Sequence, residues 1–412
     1  MIYKRRIIEV EIQKNLKSSG ALLIKGPKSC GKTLTAMQFA KSRLQVDIDP
    51  KVKTFMDFNP EVLLDGQTPR LIDEWQEQPL LWNYIRHNVD KKQKPGQFIL
   101  TGSANPVETT KTHSGAGRFT ISVMRTMSWF ELGFSSGTIS LGALLKTDKI
   151  KPEIQKISIN NIINRLIIGG WPTNINKSVE SAKRINKAYI DLLAEVDLSK
   201  VSKISRDPNK IKALLKSLAR NISTAANIET LTKDIKQYSE SITRLTVSDY
   251  LDTLERLMII ENQLAWNTHI RSSAQLRKAP KRHFADVSLA ISILGLNQES
   301  LLKNPEYLGF LFESLVIHDL RVYAQANDAL VYHYKDSNDK EIDAIVQNDA
   351  GEWAAFEIKL GPSLVDTAAK NLIEITKNIS KRPTSLNIIV GTGISYKRPD
   401  GVNVISLSSL GV

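Results

Sequence analysis

The chain has 412 residues, 42% hydrophobic and 24% charged, with 56 Lys+Arg against 43 Asp+Glu and a formal charge of +13. That length exceeds one ordinary core, so two or three globular domains are expected, and no run approaches the roughly 18 apolar residues of a membrane span. The single cysteine, Cys30, excludes an internal disulfide and a cysteine-based metal cluster.

The opening MIYKRRII is basic, but EVEIQKN follows where a signal peptide needs an apolar stretch, so a cytoplasmic protein is expected. ALLIKG (21–26) reads as a short strand ending at a glycine. It runs into GPKSCGKT (26–33) and then the helical pattern TLTAMQFAKSRL, which is G-x-x-x-x-G-K-[ST] in strand, loop, helix order. Gly26, Pro27, Lys28, Ser29, Cys30 and Gly31 form a loop whose backbone N–H groups wrap phosphate oxygens, and the glycines let the backbone approach. Lys32 is expected to reach the β- and γ-phosphates of ATP and Thr33 to ligate Mg²⁺, beside a helix N-terminus. A Cys30 thiolate exposed near Lys32 would let oxidation block the nucleotide.

PRLIDEW (69–75) places Asp73 and Glu74 at the end of an apolar strand. Asp73 is expected to hold Mg²⁺ through water and Glu74 to polarise the attacking water. QFILTGSAN (97–105) is the next strand, with Thr101 and Ser103 where a γ-phosphate sensor would sit. Arg118, in HSGAGRF, is suited to neutralising transition-state charge in its own or a neighbouring subunit, which leaves a homo-oligomer open.

Charge is uneven along the chain: residues 1–140 are net +7, 141–282 net +11 and 283–412 net −5. The basic middle is therefore the candidate DNA surface. Residues 208–266 read as two short helices, a third helix with Val247, Leu251, Leu254, Leu257 and Met258 near a 3.6-residue period and Ser248 as its cap, then a strand, which suggests a winged helix. Asp249, Asp252 and Glu255 line the third helix and would repel phosphates. The cluster Arg271, Arg277, Lys278, Lys281 and Arg282 is favoured for contacting nucleic-acid backbone.

From 305 the order is a long helix, three strands (VYHYKD, EIDAIVQ, WAAFEIKL), a helix near 366–379 and two strands (LNIIVGTG, VNVISL), the core order of restriction endonucleases. Glu313, Asp343 and Glu357 would hold Mg²⁺ against a phosphodiester, and Lys359 would orient the attacking water as in a PD-(D/E)xK site. Ile342 stands where the name-giving proline would be, and the acidic balance of this region argues against its holding DNA unaided. The six histidines show no metal-ligand spacing.

KGPKSCGKT, LIDEWQEQPLLWNYIRHNVD, GQFILTGSA, GAGRF with SWFELG, GGWP (169–172) and RHFADVSLA (282–290) together resemble bacterial and archaeal AAA+-like P-loop ATPases with an AAA_14 type core and a C-terminal region catalogued as a domain of unknown function, DUF4143. Ser288 stands where that family usually has glycine. The resemblance implies an α/β chain: a P-loop NTPase (AAA+-like) domain at 1–140, a helical linker at 141–204, a winged-helix-like domain at 205–282 and a restriction-endonuclease-like domain at 283–412. Two functions fit. One is a Mg²⁺-dependent ATPase whose nucleotide state controls a DNA-directed nuclease-like domain; the other is an ATP-gated DNA-binding or signalling module whose nuclease-like domain is inactive.

Overall fold

Apolar runs too short for helices build a parallel five-stranded sheet at the N-terminal end of the computed structural model, which describes residues 3–102, 114–154, 157–197, 207–237, 242–267, 279–336 and 338–412. Its strands are β1 (Ala21–Lys25), β2 (Ser42–Gln45), β3 (Arg70–Asp73), β4 (Phe98–Gly102) and β5 (Phe119–Val123), in the order β2-β3-β4-β1-β5. All the pairs are parallel, so both faces are covered and the strands read as continuous apolar runs. Leu23, Ile72, Phe98 and Leu100 pack with Trp75, Trp82 and Ile85 in one cluster; Leu22, Ile24, Leu71 and Ile99 pack with Ile12 in another. The expected long helix after the loop is shorter. It spans Lys32–Met37, and Ser42–Gln45 leaves it to become the edge strand, with Leu44 buried beside β3.

The chain divides into two compact units, the first built on residues up to Thr126 and the second on most of the chain from Met127 onward. This division falls ahead of the residue-140 boundary expected from sequence, for reasons with no local signature. Strand β6 (Ile139–Ser140) pairs with β15 (Leu410–Gly411) at the far end of the chain, and Trp129 N donates to Asp319 Oδ2 at 3.0 Å.

Within the second unit, helices Pro208–Arg220, Ile228–Lys236 and Arg244–Arg256 precede the antiparallel pair β7 (Ile260–Gln263) and β8 (Lys281–Phe284). Val247, Leu251 and Leu254 are buried as their period requires. The cap is Thr243, whose Oγ1 accepts from Thr246 N at 3.2 Å, and not Ser248, which lies inside the helix because the helix begins at Arg244. A six-stranded sheet follows: β9 (Ala329–Lys335), β10 (Glu341–Asn348), β11 (Trp353–Lys359), β12 (Ser385–Val390), β13 (Tyr396–Lys397) and β14 (Asn403–Ser406), in the order β13-β14-β12-β11-β10-β9. β9, β10 and β11 form an antiparallel meander, β12 and β14 add in parallel, and β13 closes the edge. Helix Pro305–Ala326 packs on β9, β10 and β11, and Val365–Lys377 buries Val365, Ala368, Leu372 and Ile375 against Ile345, Ala355 and Ile388. No helix among the described residues is long and apolar enough to cross a membrane.

Candidate functional site

The phosphate loop sits where β1 ends. Gly31 takes φ +104° as it enters the helix, and Ser29 takes φ +62°. Gly26 is required by a close approach: a Cβ there would lie 2.2 Å from Met124 O, the carbonyl just beyond β5. Lys32 is buried, and its Nζ donates to Gly26 O and Pro27 O at 2.9 Å each, so the ammonium lies over the loop. Three neighbouring strand ends then bring together what the sequence lists separately. Asp73 Oδ1 accepts from Thr33 Oγ1 at 2.9 Å and from Thr101 Oγ1 at 2.5 Å. Glu74 leaves the strand in the left-handed region, φ +53°, with Gln76 Nε2 2.5 Å from its Oε2. Thr101, expected as a phosphate sensor, is thus placed beside the acid and orients it. Ser103 lies outside the described residues.

Two residues at this site escaped sequence reasoning. Arg43 on β2 forms a 2.6 Å ion pair with Asp73 Oδ2, so both oxygens of the acid are held. Arg6, in the basic opening, is buried; its Nη1 donates to Cys30 O at 3.0 Å and its Nη2 to Arg125 O at 2.9 Å, fastening the loop to the segment after β5. Neither obeys a spacing rule, so nothing local announced them. Cys30 itself is fully buried with Sγ 3.6 Å from Met124 O, which removes the exposed thiolate that the oxidation idea required. Arg118 stands at the start of β5, next to Gly20, because Phe119 pairs with Ala21. At roughly 3.3 Å per residue it is ~20 Å along the strand from the start of the loop at Gly26. It pairs with Asp90 at 2.8 Å, so the expectation of a role at its own nucleotide site is corrected by the strand register.

In the second unit, Ala344 pairs with Phe356, which sets Asp343 and Glu357 side by side one step along the two strands. The β9–β10 register shifts between Ile342 and Ile345, and such a bulge re-aims the side chain it contains, here Asp343. Glu313 joins from the long helix, and Lys359 Nζ lies 2.7 Å from Glu357 Oε2 and 3.2 Å from Asp343 Oδ2. This face is not a solvated one: Asp343, Glu357 and Glu313 are all buried.

The structure adds a residue that the sequence assigned elsewhere. Lys281, expected in the surface cluster at 271–282, is buried with Nζ 2.9 Å from Glu313 Oε1, 3.8 Å from Asp343 Oδ1 and 3.9 Å from Glu341 Oε2. Arg282 is buried too, its Nη1 donating to Ala226 O at 2.5 Å; Arg271, Arg277 and Lys278 lie outside the described residues. Glu255, expected on an exposed face, is half-buried and accepts from Asn262 Nδ2 at 2.5 Å. Burial would strip the proton from Lys281, but the charges of Glu313 and Asp343 outweigh it and hold the ammonium above its usual range. Burial pushes Glu313 up to about 7 against the pull of Lys281. Burial and then the Asp343 charge push Glu357 up to about 8. Burial opposes the Asp343 carboxylate as well, yet Lys359, Lys281 and the Ile358 N–H hold it below the ordinary carboxylate range. Glu313, Asp343 and Glu357 come together as expected, and among the described residues no group of three or more His, Cys, Asp or Glu is arranged as a ready-made metal shell. Two fixed ammonium groups occupy their oxygens.

The remaining shared motifs meet in a packing junction. Gly170 N donates to Asp286 Oδ2 at 2.8 Å, and Trp171 Nε1 donates to Ser288 Oγ at 3.1 Å, so the serine in the usual glycine position ties GGWP to RHFADVSLA. In SWFELG, Ser128 and Glu131 form a capping box.

Family models match three successive segments: an AAA domain over residues 18–133, a domain of unknown function (DUF8612) over 159–300 and a domain of unknown function (DUF4143) over 308–410. Uncharacterized proteins of Mycobacterium tuberculosis and Mycobacterium bovis are each 23% identical over 365 residues, covering 87% of this chain and 74% of theirs. Among solved structures, the Walker-type ATPase PABY2304 of Pyrococcus abyssi is 13% identical with a TM-score of 0.46, covering 71% of this chain and 96% of that one. A signal transduction ATPase with numerous domains from Pyrococcus horikoshii, PH0952, which carries a tetratricopeptide repeat sensor, is 15% identical with a TM-score of 0.22, covering 79% of this chain and 50% of that one. The chain thus joins an AAA domain match, over the segment that holds the P-loop and its acid, to a DUF4143 match at its other end, the combination of an AAA+-like P-loop ATPase with a C-terminal DUF4143 region.

Proposed function

We propose that the first unit binds and hydrolyses ATP with Mg²⁺, and that its nucleotide state governs a DNA-directed, restriction-endonuclease-like domain in the second. The observation that carries the first half is the convergence of Thr33, Asp73 and Thr101 beside Lys32. Hydroxyl and carboxylate oxygens at the start of the P-loop helix suit a hard cation. Mg²⁺ held by Thr33 and, through water, by Asp73 would add positive charge beside the β- and γ-phosphates. Lys32 would exchange its two loop carbonyls for phosphate oxygens, and the loop N–H groups from Gly26 to Gly31, with Pro27 contributing none, would wrap them. Glu74, oriented by Gln76, would polarise the attacking water, while Arg43 fixes the rotamer of Asp73. Arg118 is left a role toward a neighbouring copy only.

For the second half, three helices followed by an antiparallel strand pair support a winged helix, and the helix, meander, helix, parallel-strand order supports the nuclease-like fold. DNA would be drawn by the cations of 141–282, Lys281 and Arg282 excepted. Turnover of ATP by purified protein with Mg²⁺ is expected to fall ~100-fold or more in Lys32→Ala, in line with loss of one transition-state donor. Turnover by the unaltered chain no higher than that variant's background refutes the ATPase. Duplex binding in a gel shift is expected to differ with and without ATP, and binding that ignores ATP refutes the coupling.

A further inference from the structure

The acids on the C-terminal strands are already matched to cations that the chain itself supplies. Each oxygen of Asp343 faces an ammonium, Oδ1 toward Lys281 at 3.8 Å and Oδ2 toward Lys359 at 3.2 Å, and Oδ2 also accepts from Ile358 N at 2.8 Å. Glu313 is bound to Lys281 at 2.9 Å and Glu357 to Lys359 at 2.7 Å. A divalent ion would need several of these oxygens at ~2.0–2.1 Å for Mg²⁺. It would also bring like charge against two ammonium groups held by strands rather than by mobile loops. Lys359 belongs to the sheet that carries the acids. Lys281 does not: it arrives on β8, paired to β7, and Gln263 of β7 locks that pair to the sheet by donating to Asp343 O at 2.9 Å and Tyr332 O at 3.0 Å.

We propose that Lys281 is a tethered cation taking the place of a divalent metal, so that the second unit keeps the cleft of a nuclease-like fold without metal-dependent phosphodiester cleavage. A cleft of about 440 Å³ opens beside Asp343, Glu357 and Lys359, with Lys340 and Asn371 and the acids Asp339, Glu341 and Glu374 on its wall. The cluster is thus reachable, and what stands between its oxygens and a metal is their pairing with Lys281 and Lys359 rather than closure. The inference rests on the restriction-endonuclease-like reading of this fold and leaves the ATPase reading untouched.

The test is Mn²⁺ titration by electron paramagnetic resonance on the full chain carrying Lys32→Ala, with nucleotide omitted. No stoichiometric Mn²⁺ site is expected while Lys281 is present. Adding Lys281→Met is expected to create one site per chain, lost again when Asp343→Asn is added. One tightly bound Mn²⁺ in the Lys281-bearing chain that disappears with Asp343→Asn overturns the proposal, and this measurement stands even if Lys281→Met folds poorly. A folded Lys281→Met chain that gains no site overturns it as well. Plasmid nicking by the unaltered protein in Mg²⁺ or Mn²⁺, abolished by Asp343→Asn, does the same. ATP turnover, followed separately on the unaltered chain, reports on the ATPase alone.

Discussion

Arg6 carries no motif, yet it holds the loop that carries the most recognisable one. Its guanidinium is buried and divides its donors between Cys30 O on one side and Arg125 O on the other, so the loop and the end of β5 share one charge. Hydrogen bonds to charged groups contribute about 1.5–3 kcal/mol each. Arg6→Ala therefore frees the P-loop backbone without touching a phosphate ligand, and weakening of ATP binding by about tenfold is expected, the equivalent of ~1.4 kcal/mol. Titration with a fluorescent nucleotide reads this directly, and an unchanged Kd refutes the bracing role. Arg43 acts on Asp73 rather than on the loop.

At the scale of elements, the junction of GGWP with RHFADVSLA shows why glycine is repeated there. Gly169 takes φ +77°, and a Cβ on Gly170 would lie 2.2 Å from Met127 O, a backbone atom that cannot swing aside. Gly170→Ala is expected to destabilise the second unit by about 1–3 kcal/mol, the usual cost of overpacking. A urea midpoint for that unit unchanged by the substitution counts against the junction. The P-loop, the strand ending in Asp73 and the meander bearing Asp343 and Glu357 were legible from sequence because each is a local pattern of period and turn. The chain also showed the third middle helix through the period of Val247, Leu251 and Leu254, but misplaced its cap by reading Ser248 instead of Thr243. What stayed hidden was every partner brought in by tertiary contact. Arg6, Arg43 and Lys281 lie on other elements than the acids and carbonyls they meet, and Lys281 sat in a run of cations that reads as surface.

Over the whole molecule, charge counted along the chain misled where charge counted in space does not. The segment 141–282 is net +11 and 283–412 net −5, but Lys281 belongs by position to the first and by contact to the second. The DUF4143 match begins at residue 308, beyond that lysine. A fragment cut at that boundary would keep Glu313, Asp343, Glu357 and Lys359 and leave their second ammonium behind, along with the strand pair that delivers it. Removing one partner of a buried ion pair costs about 3–5 kcal/mol, and the excised piece can recover some of it by capturing a divalent ion. Isothermal titration is expected to show Mn²⁺ uptake by the fragment and none by the intact, nucleotide-free chain. Dissection at the family boundary would then manufacture the metal chemistry it set out to look for, and the severed domain would be a different reagent from the protein it came out of.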